Sequence, residues 1–196
     1  MHTPGHAVIN LATLGSIVGH EAAVLAGATL PDVPIVILYL YERLRGTPEE
    51  TIWAVCYQNR YWLAVIHGAH SIPLAAIGST LAWLSGAPGL AVFFVSVLLH
   101  ALADFPVHAI DAHRHFLPFS QYRFQSPLSY WDPRFHGGKV AAVEALLVLS
   151  GSVVLHRRGL PRWGSLLLLA VNLWYGWTYW RSFLRRKPLA DAKTPK

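Results

Sequence analysis

The sequence predicts an all-α, polytopic membrane protein with four spanning helices preceded by a short N-terminal helical hairpin. Three observations carry that expectation. First, 54% of the 196 residues are hydrophobic and only 13% are charged, about half the charge share of a soluble domain. Second, the apolar residues fall in long runs at 61–84, 88–103, 140–155 and 163–183, each near the roughly 17–25 residues that cross a bilayer as a helix. Third, histidines, aspartates and arginines gather where one of these runs ends, in the stretch from Leu98 to Pro127. Such groups beside a membrane-length segment need a partner, a metal or water.

Taken in order, residues 5–30 are small and apolar, with Gly15 and Gly19 followed by His20 and Glu21. This segment reads either as one spanning helix or as a hairpin that turns near Gly15–His20. One helix would hold His6 and Asp32 about 40 Å apart at 1.5 Å per residue; a hairpin makes them neighbours. The N-terminus carries no Lys or Arg before its apolar stretch, so it does not read as a signal peptide. Leu30-Pro31-Asp32-Val33-Pro34 then breaks the pattern, because each proline steers the residue before it away from helical geometry. Asp32 is placed in a rigid turn, where an ordinary helix cap is the plainer reading. Residues 35–60 read as an interfacial helix and loop.

The run 61–84 opens with aromatics and carries His67 and His70 one turn apart. Ser85–Pro88 is a charge-free turn into the helix that delivers His100 and Asp104. On that helix His100, Asp104 and His108 recur every four residues and share a face. An antiparallel pair of helices sets His70 and His100–Asp104 at the same membrane face, and the hairpin reading adds His6 and Asp32. In the loop 105–138, Asp111, His113, His115, Asp132 and His136 read as solvated polar groups, Tyr130-Trp131 as an interfacial anchor, and Arg123 and Arg134 as clamps for an anion or lipid headgroups.

Net charge is +6, but Lys and Arg sit in loops and at helix ends, as in a membrane protein, so nucleic acid is not an expected partner. Arg43, Arg45, Arg60, Arg114, Arg123, Arg134, Lys139, Arg181, Arg185, Arg186 and Lys187 fall on the side of the polar cluster, against Arg157, Arg158 and Arg162 on the other. The positive-inside rule then places the cluster and both termini in the cytoplasm. Residues 1–187 read as one integral-membrane domain and 188–196 as a disordered tail. The single cysteine, Cys56, rules out an internal disulfide and suits a reducing compartment.

Gly5-His6, Leu30-Pro31-Asp32, His70-Ser71, and His100-xxx-Asp104-xx-Val107-His108 running into Leu117-Pro118-Phe119-Ser120 and Arg123-Phe124 follow one another in the first two thirds of the chain. In this order they resemble the bacterial membrane-bound, metal-dependent hydrolase family that includes the LexA-regulated inner-membrane hydrolase. Pro34 stands where that family has a second acidic residue, Ala69 and Val107 stand where it has Thr, and His67 is out of register with its upstream histidine.

The resemblance implies a hydrolase at the inner membrane. His6, Asp32, His70, His100 and Asp104 are the expected metal ligands, with Asp32 or Asp104 acting as base or orienting a histidine. His108 ranks lower because Pro106 can kink the helix and turn it away. Imidazoles with carboxylates suit zinc best, with manganese or iron as alternatives. The expected substrate is an ester or phosphoester, including one in a membrane lipid, with Arg123 on its anionic group. The alternative function is a metal-ion or small-solute transporter using the same cluster.

Overall fold

The computed structural model of the chain describes residues 1–15 and 19–185. It is helical, with no strand among the described residues. Helix α1 (Thr3–Leu14) admits Pro4 because a proline in the first turn removes an N–H that has no partner there anyway. Helix α2 (Glu21–Thr29) is separate from α1 and packs against it. The hairpin, not one long helix, is therefore what the described residues form.

The Pro31/Pro34 segment differs from expectation. Leu30–Asp32 make a single tight helical turn and α3 (Val33–Leu44) continues from it, with Pro34 in its first turn. Together with α2 this gives a helical segment of 24 residues, Glu21–Leu44, long and apolar enough to cross a membrane. Two prolines this close preserve a helix when each falls in the first turn of a new element, where no main-chain bond is lost.

The run 61–84 is also divided. After α4 (Glu49–Thr51), α5 (Arg60–Ala69) is capped by Asn59, whose side chain accepts from the Tyr61 N–H at 2.9 Å. Helix α6 (Ile72–Leu84) restarts with Ser71 accepting from the Leu74 N–H at 3.2 Å. Pro73 cannot donate to the carbonyl of Ala69, so the helix breaks at His70–Ser71. The loop fills the break: Ser71 donates to the Leu117 carbonyl at 2.5 Å, and the Ile72 N–H to that of His115 at 2.9 Å.

Helix α7 (Pro88–Asp104) packs against α6 and α2, while α8 (Gly137–Arg157) packs against α1 and α9 (Arg162–Tyr179). Of these, α8 has the length and apolarity of a membrane span; α6 and α7 are apolar but shorter. Gly27 lets α2 approach α7 closely, since a Cβ there would collide with the Phe93 carbonyl and come within 2.7 Å of Ser96 Cβ. At the same level Asn10 donates to the Ser96 carbonyl and hydroxyl, both at 2.9 Å, and Ser96 donates to the Val24 carbonyl at 2.6 Å. Three helices are thus joined by polar bonds inside an apolar layer. A second layer, built on Val8, Val148, Leu155 and Tyr175, seats α1 on α8 and α9.

The loop residues are more buried than the sequence implies. His113, His115 and Asp132 are each 2% exposed, not solvated. Conversely, large apolar side chains face outward, among them Leu81, Leu84, Leu146, Leu166 and Leu173. Residues 186–196, including the expected tail, lie outside the described residues.

Candidate metal centre

The local breaks in the helices place the polar groups. His70 terminates α5, Asp32 ends the tight turn before α3, and His100 and Asp104 lie in the last turns of α7. Contacts of α2 with α7 at both ends, His20 near Gly89 and Ala28 at His100, make the two parallel and bring Asp32 level with Asp104.

Asp32, His70, His100 and Asp104 form one buried group whose ligating atoms all lie within 4.8 Å of one another. The main chain fixes how the imidazoles are presented. His70 Nδ1 lies 2.7 Å from the Ile66 carbonyl and His100 Nδ1 2.8 Å from that of Ala28. A carbonyl only accepts, so both Nδ1 atoms carry the proton and both Nε2 atoms of the neutral rings present lone pairs. Those two Nε2 atoms are 3.2 Å apart. Asp32 Oδ1 lies 3.5 Å from one and 3.6 Å from the other, and Asp104 Oδ2 lies 3.7 and 3.2 Å away.

A tetrahedron with bonds of about 2.1 Å has ligand-to-ligand edges of about 3.4 Å, the spacing expected of zinc with N and O ligands. The observed separations bracket that value. Four lone-pair atoms converging at this distance repel one another unless a cation or a shared proton lies among them. The position of Asp104 adds to this demand, since it ends α7, where the helix dipole is negative.

Asp104 faces two ways. While Oδ2 faces His70 and His100, Oδ1 lies 3.0 Å from His6 Nε2 and 3.4 Å from His108 Nε2, and it pairs with the Met1 ammonium. Asp104, His108 and His113 make a second buried group able to hold an ion. His108 is held for this: its Nδ1 donates to Asp111 Oδ2 at 3.0 Å, and the same oxygen accepts from the Trp131 indole at 2.9 Å. A carboxylate behind an imidazole fixes the tautomer that leaves Nε2 for a ligand. Burial opposes charge on His108, but the Asp104 carboxylate outweighs it and raises the pKa; burial and then His70 push His113 well below its ordinary value.

Of the five expected ligands, the structure brings Asp32, His70, His100 and Asp104 into one group. His6 is set beside them instead. It stacks on His100 with ring centroids 3.6 Å apart and contacts the other oxygen of Asp104, while its Nδ1 is buried without a partner. Thr3, which the sequence did not single out, donates to Asp32 Oδ2 at 2.5 Å and leaves Oδ1 facing the imidazoles. Arg123 donates through Nε to the Ala112 carbonyl at 2.8 Å, so one of its donors fastens the loop. Arg134 is paired with Asp132 at 2.6 Å. His108 lies beyond the end of α7 and not on it, as the four-residue spacing implied, yet its Nε2 still reaches Asp104. His113 joins them through irregular backbone, which no spacing in the sequence signals.

Comparison with protein families, curated proteins and solved structures returns no match.

Proposed function

We propose that this chain is a membrane-embedded, metal-dependent hydrolase of the inner membrane, acting at the cytoplasmic face on an ester or phosphoester, including one in a lipid. The observation that carries the reading is the approach of the Nε2 atoms of His70 and His100 to 3.2 Å with two carboxylates around them. The four-span arrangement with both termini in the cytoplasm belongs to the same proposal. Among those four runs it is supported by the apolar segment Gly137–Arg157, by the shorter apolar helices Ile72–Leu84 and Pro88–Asp104, and by the outward-facing leucines. The motif resemblance adds the hydrolase class.

Zinc fits the N and O donor set, with manganese or iron as alternatives. Asp32, His70, His100 and Asp104 would hold one ion, and Asp104, His108 and His113 would supply ligands for a second. A divalent ion at such a site supplies Lewis acidity and lowers the pKa of a water to about 7. The protein's own groups do the rest. His6 keeps Oδ1 of Asp104 oriented while Oδ2 faces the first group. Asp32, held by Thr3 and the most exposed of the four at 9%, is the carboxylate placed to take a proton from an attacking water.

Metal analysis of the detergent-purified protein tests this directly. The parent should carry near-stoichiometric zinc, manganese or iron, and the His100→Ala/Asp104→Ala variant should lose at least nine tenths of it; equal metal in both would sink the centre. Turnover of phosphoesters, carboxyl esters or phospholipids should then disappear with chelator. Metal uptake into proteoliposomes without any turnover would favour the transporter instead.

A further inference from the structure

We infer that the cavity between α5 and the loop, lined by Arg60, His67, Arg114, Gln58 and Gln121, is an anion site for a phosphate group, separate from the metal centre. The cavity measures about 280 Å³, and Leu63, Ala64 and Leu117 complete its wall. No carboxylate lines it; its charged residues are two arginines. Phosphate is the anion that guanidinium groups bind with paired, charge-assisted hydrogen bonds.

Two unanswered donors set it apart from a patch of surface arginines. His67 is 2% exposed, and its Nδ1 accepts from the Arg114 N–H at 3.4 Å. In the neutral ring the proton therefore lies on Nε2, which has no partner. Arg114 donates through one terminal nitrogen to Gln121 at 2.8 Å, yet its Nε–H is buried without an acceptor. Buried donors without acceptors are destabilising unless something supplies the oxygens. A tetrahedral oxyanion supplies several at once. The volume leaves room beyond a phosphate for a small substituent, which the Gln58 and Gln121 amides can meet as donors or acceptors.

The site adjoins the metal centre through stacked rings. His67 meets His113 edge-on at 5.7 Å, and His113 stacks on His70 at 4.1 Å. The anion site nonetheless stands without the hydrolase reading, because none of its donors is a ligand of the metal groups.

Binding of inorganic phosphate to the full chain in detergent, by equilibrium dialysis with and without chelator, tests it. Saturable binding of one phosphate is expected. It should persist in chelator and in His100→Ala/Asp104→Ala, and weaken at least about tenfold in Arg114→Ala and Arg60→Ala but not in Arg43→Ala. A parallel arm uses nanodiscs with and without phosphatidic acid. Retention of that lipid, lost in Arg60→Ala, with no binding of free phosphate, assigns the site to a headgroup and supports the proposal equally. Should Arg114→Ala fail to fold, as read by thermal melting, the more exposed Arg60→Ala and a His67→Ala variant decide. Binding abolished by chelator, unchanged in the variants, or absent in both arms overturns the anion site.

Discussion

At the scale of single residues, the chemistry depends on which nitrogen of each histidine carries the proton, and main-chain carbonyls decide that. Ile66 and Ala28 hold Nδ1–H of His70 and His100 and so commit the other nitrogen to the cluster. His115 is fixed in the same way by the carbonyl of His70 at 3.1 Å, and burial pushes its pKa down to about 4. Its unfolded value is near 6.5. Between those values the unfolded chain binds the extra proton, so the stability contributed by neutral His115 is complete above about pH 6.5 and is lost as pH falls toward 4. His113 acts in the same direction. Melting of the chelator-treated protein should show a decline from pH 6.5 to 4.5, of which His115→Gln removes about 2 kcal/mol. Equal slopes for the two proteins would show that His115 is not the group responsible.

At the scale of elements, the site exists because helices stop. Pro73 divides the run 61–84 and leaves His70 at a helix end, while the turn Leu30–Asp32 carries Asp32 beside α7. The closeness of α2 and α7 is equally required, since the Ala28 carbonyl that orients His100 belongs to α2. Gly27 permits that approach. Gly27→Val should therefore destabilise the protein by about 1–3 kcal/mol through overpacking and also release bound metal, because moving α2 frees the His100 ring. Thermal melting and metal content measured together check this; a variant that melts lower yet keeps its metal would show that the centre tolerates displacement of α2.

At the scale of the whole molecule, the distribution of polarity is inverted. His6, His67, His70, His100, Asp104 and Glu144 are buried, while Leu44, Leu84, Leu146 and Leu173 are strongly exposed. Water would penalise such a surface, and hydrocarbon would not. Glu144 shows the same logic away from the centre: it accepts from Tyr175 at 2.7 Å and from the His2 N–H at 2.8 Å and ties α1 to α8 and α9. The proposed topology puts Arg45 in the cytoplasm and the turn between α8 and α9 outside. In a Cys56→Ala background, a membrane-impermeant maleimide should label Arg158→Cys in intact cells and Arg45→Cys only after permeabilisation. Labelling of both from outside would reject the orientation.

The sequence by itself determined the all-α class, the antiparallel meeting of His70 with His100 and Asp104, and the requirement that these groups have a partner. Composition and the four-residue spacing on α7 are local properties, and local properties are legible in a chain. It left open whether residues 5–30 turn back, and it placed His113 and His115 in solvent. Only the tertiary structure decided those points. The hairpin depends on α1 and α2 finding each other and α7, with Asn10, Ser96 and Val24 bonded across three helices. The loop folds inward because its His115 and Leu117 carbonyls are held by Ile72 and Ser71, partners distant in sequence. No periodicity encodes such contacts. For the same reason Asp104 could be read as one ligand among five, but not as the carboxylate whose two oxygens face two groups.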